Sequence, residues 1–190
     1  DYVMEQTAKK RWELEHPNEN NPYEMLPKLY MYTFEMKNKE RFSDESKSFN
    51  FREFFRVDEN GKFVYLNDVK TFLDNITNPD KNTNYPFSTK PYRDELRHTL
   101  WLLPGVRAAN ALEELLKEHP IFGKEYKIIN VVRGSKSDNG ETNEVDIEKV
   151  RSAITKDPSQ TKTITLTVRK LTTGVNIPEW TAVLFLSNTN

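Results

Sequence analysis

The sequence predicts an α/β fold: a parallel sheet with flanking helices, preceded by an α+β segment. Three observations carry that expectation. Near-continuous apolar runs recur at 99–103, 126–132, 163–168 and 182–186, stretches with apolar residues at helical spacing separate the first three, and the order strand, turn, helix repeats along the second half. Strands that are apolar on both faces need cover on both, and crossover helices on a parallel sheet supply it.

From Tyr2 to Glu15 the mixture of apolar and charged residues suits a helix, ended by the polar run His16 to Pro22 with its two prolines. Lys28 to Met36 is aromatic and branched and reads as a strand. Lys37 to Ser48 is a charge-dense connector. Phe54 to Val57 and Lys62 to Tyr65, separated by Asp58-Glu59-Asn60-Gly61, carry a hairpin signal. Asn67 or Asp68 is placed to cap a helix whose apolar positions are Val69, Phe72, Leu73 and Ile76. Asn78 to Pro91 reads as a loop.

The pattern changes near Tyr92. Thr99 to Leu103 is an apolar strand, broken by Pro104-Gly105 and followed by a helix lined by Ala108, Ala111, Leu112, Leu115 and Leu116. Tyr126 to Val132 is the next strand. A polar loop from Arg133 to Asn143 leads into a helix marked by Val145, Ile147, Val150 and Ile154. Thr163 to Val168 and Ala182 to Leu186 complete the series, with a glycine loop between them.

A chain of 190 residues is long enough for one good core or for a compact domain with an appendage. With 28 basic against 29 acidic residues, the global charge advertises no nucleic-acid partner, although a local basic groove is compatible with a neutral total. The chain has no cysteine, which excludes disulfides, thiolate catalysis and cysteine zinc sites and fits a cytoplasmic protein. Its apolar runs fall far short of the roughly 20 residues of a membrane helix, so no membrane partner is expected. The start at Asp1 and the stop just after an apolar strand read as a fragment of a longer protein.

Ligands of open parallel sheets bind beyond the carboxyl ends of the strands, where loops and helix N-termini converge. Pro104-Gly105, Arg133-Gly134-Ser135 and Arg169 to Pro178 are expected at that edge.

These residues carry a family resemblance. The series Thr99-Leu100-Trp101-Leu102-Leu103-Pro104-Gly105-Val106, then Tyr126 to Val131, then Thr165 to Trp180 with its core Thr172-Thr173-Gly174-Val175-Asn176-Ile177-Pro178, resembles the second RecA-like domain of superfamily 2 helicases and translocases. Within that superfamily it is most similar to the motors of restriction-modification enzymes and related phage or plasmid helicases. The first series matches motif IV and the last motif V. The resemblance covers residues 92–190, a partial second RecA-like (P-loop NTPase-like) domain ending before motif VI; residues 1–91 look like the family-specific segment before it.

The resemblance implies that Gly174 permits close backbone approach and that Thr172 and Thr173 donate to a strand phosphate. Asn176 stands where many relatives carry an aspartate near the nucleotide ribose, so Gly174 and Asn176 are the nucleotide-side residues. Pro104 and Gly105 fall at a turn where backbone reaches a phosphate. Arg169 and Lys170 are candidate phosphate contacts, weighed against solvated surface charge. No Gly-x-x-x-x-Gly-Lys-Ser/Thr loop and no Walker B Asp-Glu pair occurs in the chain. ATP and Mg²⁺ are thus expected to be bound by the full-length parent, between this domain and an absent first RecA-like domain, with DNA as the partner and RNA left open. The other class of function is an α/β scaffold for protein contacts without nucleotide chemistry.

The remaining chemistry-bearing residues take plainer readings. His16, His98 and His119 lack metal-ligand spacing and read as surface or helix-end histidines. Glu113-Glu114 and Asp44-Glu45 read as solvated faces. Trp101 and Trp180 read as packing residues, and Phe49, Phe51, Phe54 and Phe55 as packing in preference to base stacking.

Overall fold

The computed structural model describes residues 2–22, 24, 39–43, 49–81, 85–136, 138, 140–188, with the side chains of the first helix from Lys9 onward. The chain divides into two compact units, Asp1–Phe34 and Glu35–Asn190, so residues 35–91 belong to the same unit as the sheet. The strand expected at 28–36 lies outside the described residues.

In the first unit, helix α1 spans Tyr2–Glu15. Trp12 stacks on His16 at 4.2 Å, and the Asn21 side-chain amide donates to the Lys9 carbonyl (3.2 Å), folding the proline-bearing turn back on the helix end.

The second unit opens with a 3-10 turn, Lys39–Phe42, and a short helix α2, Phe51–Phe54. Asn50 caps α2 by accepting from the Glu53 N–H at 2.9 Å, a local bond that takes Phe54 and Phe55 out of the expected hairpin strand. What remains of the hairpin is one antiparallel bridge, Val57 to Phe63, around a turn in which Asp58 Oδ1 accepts from the Asn60 and Lys62 amides and Gly61 takes φ +79°. Helix α3, Leu66–Thr77, buries Val69, Phe72, Leu73 and Ile76 as its spacing predicts. Its N-cap position, however, is Tyr65, which makes no side-chain cap; Asp68 instead pairs with Arg41 at 2.9 Å. Phe42, Phe54, Phe55 and Phe72 meet edge to face at centroid distances from 4.9 to 6.3 Å, and Phe49 joins them. These rings are occupied by packing, as expected. Helix α4, Lys90–Glu95, capped by the Thr89 hydroxyl, begins one residue before the end of the stretch expected to be loop.

The sheet follows in the expected order: β1 His98–Leu102, helix α5 Val106–Glu118, helix α6 Phe122–Glu125, β2 Lys127–Asn130, helix α7 Glu144–Ile154, β3 Thr163–Thr167 and β4 Ala182–Phe185. All pairings are parallel, in the order β2-β3-β1-β4. The chain is therefore α/β, with a parallel sheet and flanking helices. The β1 to β2 connection moves two places in one direction and β2 to β3 moves one place back; right-handed crossovers then put α5 and α7 on opposite faces. Register aligns Trp101, Leu166 and Asn130 on the α5 face, where Trp101 lies fully buried against Phe87 and Phe122. Gly123 lets α6 fold tightly onto α5: a Cβ there would lie 2.1 Å from the Lys117 carbonyl oxygen.

His98 is not a surface histidine but a buried residue of β1. Its Nδ1 lies 2.9 Å from the Thr163 hydroxyl and its Nε2 2.9 Å from the Pro158 carbonyl, so Nε2 carries the proton and donates. Burial pushes its pKa below the ordinary 6.5. Protonation therefore favours the unfolded chain: the contribution of the neutral ring is complete above pH ~6.5 and is lost as pH falls through the lower folded value. Thermal melts at stepped pH should show a steeper acid-side fall for the native chain than for His98→Gln; parallel curves would contradict this assignment.

Candidate nucleic-acid interface at the carboxyl edge

The connections after β1 and β3 leave two adjacent strands toward opposite faces of the sheet. That divergence is the topological switch point at which open α/β sheets have their crevice. The Leu103 amide donates to the Thr167 carbonyl at 2.8 Å, carrying the pairing to the rim, so Pro104-Gly105 and the run from Arg169 emerge side by side. The expected edge segments are thus brought together by β-pairing.

At the first turn, Gly105 is the N-cap of α5 in extended conformation and offers no capping side chain. The amide of Val106 donates instead to Asp138 Oδ1 at 2.8 Å. A carboxylate fits there because the helix dipole favours negative charge at its N-terminus. A Cβ at Gly105 would lie 3.5 Å from that carboxylate, an ordinary van der Waals contact.

The β3 to β4 connection is held by its own short bonds. The Thr167 hydroxyl donates to the Lys170 carbonyl (2.7 Å) and the Thr172 hydroxyl to the Arg169 carbonyl (2.6 Å). Leu171, buried, takes φ +64°, a left-handed conformation uncommon for a residue with a branched side chain, and its amide donates to the Thr142 hydroxyl at 2.6 Å. Ile177 is buried at the far end of the loop. Between these anchors Thr172, Thr173 and Gly174 are exposed, and Gly174, at φ +67°, has open space where a Cβ would point. Asn176 is exposed, with its backbone carbonyl accepting from Arg151 at 3.3 Å.

The two candidate cations part company. Arg169 is exposed and, among the described residues, has no ion-pair partner. Lys170 turns inward: its ammonium pairs with Asp146 Oδ2 at 2.9 Å, and both side chains are only 11% exposed. Asp146 belongs to the capping box at the start of α7, where Asn143 Oδ1 accepts from the Asp146 amide at 2.9 Å.

At the end of β2, Asn130 donates to Asn110 Oδ1 and Glu113 Oε2, both at 2.9 Å. Glu113 also accepts from Lys117 (2.7 Å) and Arg133 (2.8 Å), while Arg133 reaches Glu114 as well. Burial alone would raise the Glu113 pKa, but the Lys117, Arg133 and Asn130 donors together hold it below the ordinary carboxylate value. Glu113 is therefore not half of a solvated pair; it is 5% exposed and ties α5 to the segment leaving β2. Its spacing held a signal, since it lies four residues after Ala109 and three before Leu116, on the flank of the buried stripe. Asp138 and Thr142 carried no comparable local signal, whereas Asp146 stands three residues after Asn143, the spacing of a capping box.

Among the described residues no His, Asp and Glu cluster could hold a metal ion, and no described helix is long and apolar enough to cross a membrane. No protein-family model matches the chain, and no solved structure matches it. Across an alignment of 208 residues it is 29% identical to a Mycoplasma pneumoniae protein named, provisionally, as the C-terminus of a type II restriction enzyme and methyltransferase; the match takes in 98% of this chain and 28% of that protein.

Proposed function

We propose that this chain belongs to a restriction-modification protein and forms the nucleic-acid-gripping part of its second motor domain, in an ATP-driven DNA translocase or helicase. The observation that carries the reading is the switch-point crevice, where the turn after β1 and the exposed Thr172-Thr173-Gly174 loop after β3 stand together at the carboxyl edge. The likeness to the Mycoplasma protein supports the restriction-modification setting; the motor activity rests on the motif resemblance and this geometry.

In this reading a strand phosphate is met by the backbone and hydroxyl of Thr173, with the open side of Gly174 allowing close approach and Arg169 neutralising charge. ATP and Mg²⁺ would be held by the full-length parent, where ATP hydrolysis would supply the free energy of translocation. The donors present here fit a peripheral nucleotide contact: Asn176 offers an exposed amide and Gly174 an unobstructed backbone, while the sequence holds no phosphate loop. The missing first RecA-like domain would supply it, and this chain would sit in the cytoplasm with its DNA.

The isolated chain should bind single-stranded DNA with an affinity that falls as salt rises, and Arg169→Met should reduce the slope of log affinity against log salt by about 0.7, the value for one lost single-strand phosphate contact. It should hydrolyse no ATP above background with or without DNA; robust DNA-stimulated hydrolysis would sink the reading. One observation favours a protein-contact role: Phe185 and Val183, on the edge strand β4, are 63% and 43% exposed on the same face. Absence of DNA binding even at low salt would move the assignment there.

A further inference from the structure

The β3 to β4 connection holds two adjacent cations with opposite fates, and the buried one points to a residue outside the motif. We propose that Asp146, on the first turn of α7, is a positioning residue for the nucleic-acid loop, acting through Lys170, and that Lys170 anchors the loop and does not contact phosphate. The inference rests on the nucleic-acid reading of the Thr172 to Gly174 loop given above.

The geometry is specific. The Lys170 ammonium sits 2.9 Å from Asp146 with both side chains nearly enclosed, and Gly140 covers the lysine stem so closely that a Cβ there would lie 3.0 Å from Lys170 Cε. A lysine packed this way has no freedom to follow a phosphate in the crevice. One residue on, the Leu171 amide is taken by the Thr142 hydroxyl, which precedes the same capping box. The left-handed Leu171 is the point at which the chain turns outward, and a conformation of that cost persists only where its surroundings hold it. Asp146 and Thr142 are those surroundings: they hold Lys170 and Leu171 from one side, so that Thr172 and Thr173 project from the other.

Removing a buried partner and removing a phosphate contact leave different signatures. If Asp146 positions the loop, Asp146→Asn and Lys170→Met each weaken single-stranded DNA binding by about tenfold, within the range of couplings inside one salt-bridge network, and the double variant costs little more than either alone. The salt slope stays at the native value in all three, whereas Arg169→Met lowers it. Asp146→Glu, which keeps the charge, restores most of the affinity. Asparagine at 146 keeps a capping acceptor, so α7 remains capped, and melting curves check that the fold is retained. Thr142→Val is the second variant, expected to weaken binding in the same way without touching the ion pair.

If Lys170 instead grips phosphate, Asp146→Asn frees its ammonium and binding is unchanged or tighter, while Lys170→Met lowers the slope; either result overturns the proposal. Amide hydrogen exchange separates this failure from failure of the underlying reading. The Asp146→Asn and Lys170→Met proteins should exchange faster than native over Leu171 to Ile177 whether or not DNA binds. Unchanged exchange there defeats the positioning role, and faster exchange in a chain that binds no DNA defeats only the nucleic-acid reading.

Discussion

Trp101→Ala is expected to cost about 3–5 kcal/mol of folding free energy, the range for truncating a large buried aromatic. The side chain is fully buried in the central strand β1, with ring contacts at 5.6 Å to Phe122 and 5.7 Å to Phe87. Phe122 comes from the helix that closes back onto α5, and Phe87 from the segment leading into α4, so the cavity would open where three parts of the unit meet. The indole N–H also donates to the Thr99 hydroxyl at 2.9 Å, so truncation takes this donor away from a fully buried oxygen and adds to the loss. Against a total of about 5–15 kcal/mol for a typical domain, this loss is large enough to leave the chain partly unfolded at ordinary temperature. Urea unfolding followed by far-ultraviolet circular dichroism measures it. Trp101→Phe should cost less than half as much, and a loss under about 1 kcal/mol for the alanine variant would show that the site collapses and that this packing is not central.

Glu113→Ala is expected to cost about 2–3 kcal/mol, below the 3–5 typical of a fully buried broken pair. The discount follows from exposure: Lys117 and Arg133 are 51% and 48% exposed and can hydrate once the carboxylate is gone. Asn130 cannot, because it is buried and would keep only Asn110 as partner for its amide. The effect should also depend on pH with a definite sign. The folded carboxyl titrates below its ordinary 4.5, so its contribution is full above that value and disappears as pH falls through the lower folded one. The gap in unfolding free energy between the native chain and Glu113→Gln should therefore close toward acid pH. A gap that persists unchanged would mean that packing of the side chain, and not its charge, holds α5 to the end of β2.

Where the sequence and the fold agree, the requirement is local. The four strands and the helices between them stand within a few residues of their expected bounds, because a run that is apolar on both faces has few other ways to be covered. The Phe54 to Tyr65 region departs from expectation because its aromatic pattern suits a strand or a short helix equally, and the single Asn50 cap decided between them. The Thr172 to Pro178 loop was legible as a motif after a strand. The difference between Arg169 and Lys170 was not, since neighbours in sequence diverge only when a carboxylate 24 residues away meets one of them.

The sequence alone thus determined the sheet class, the order of its elements and the segments that reach the carboxyl edge, because periodicity and glycine or proline punctuation are properties of neighbouring residues. The tertiary structure alone decided which polar side chains remain free. His98, Glu113 and Lys170 read as solvent-facing or ligand-seeking by residue type, yet each is consumed by a partner that folding brings from 17 to 65 residues away. A buried polar group must find such a partner, and which one it finds depends on distance through space, which no local pattern records.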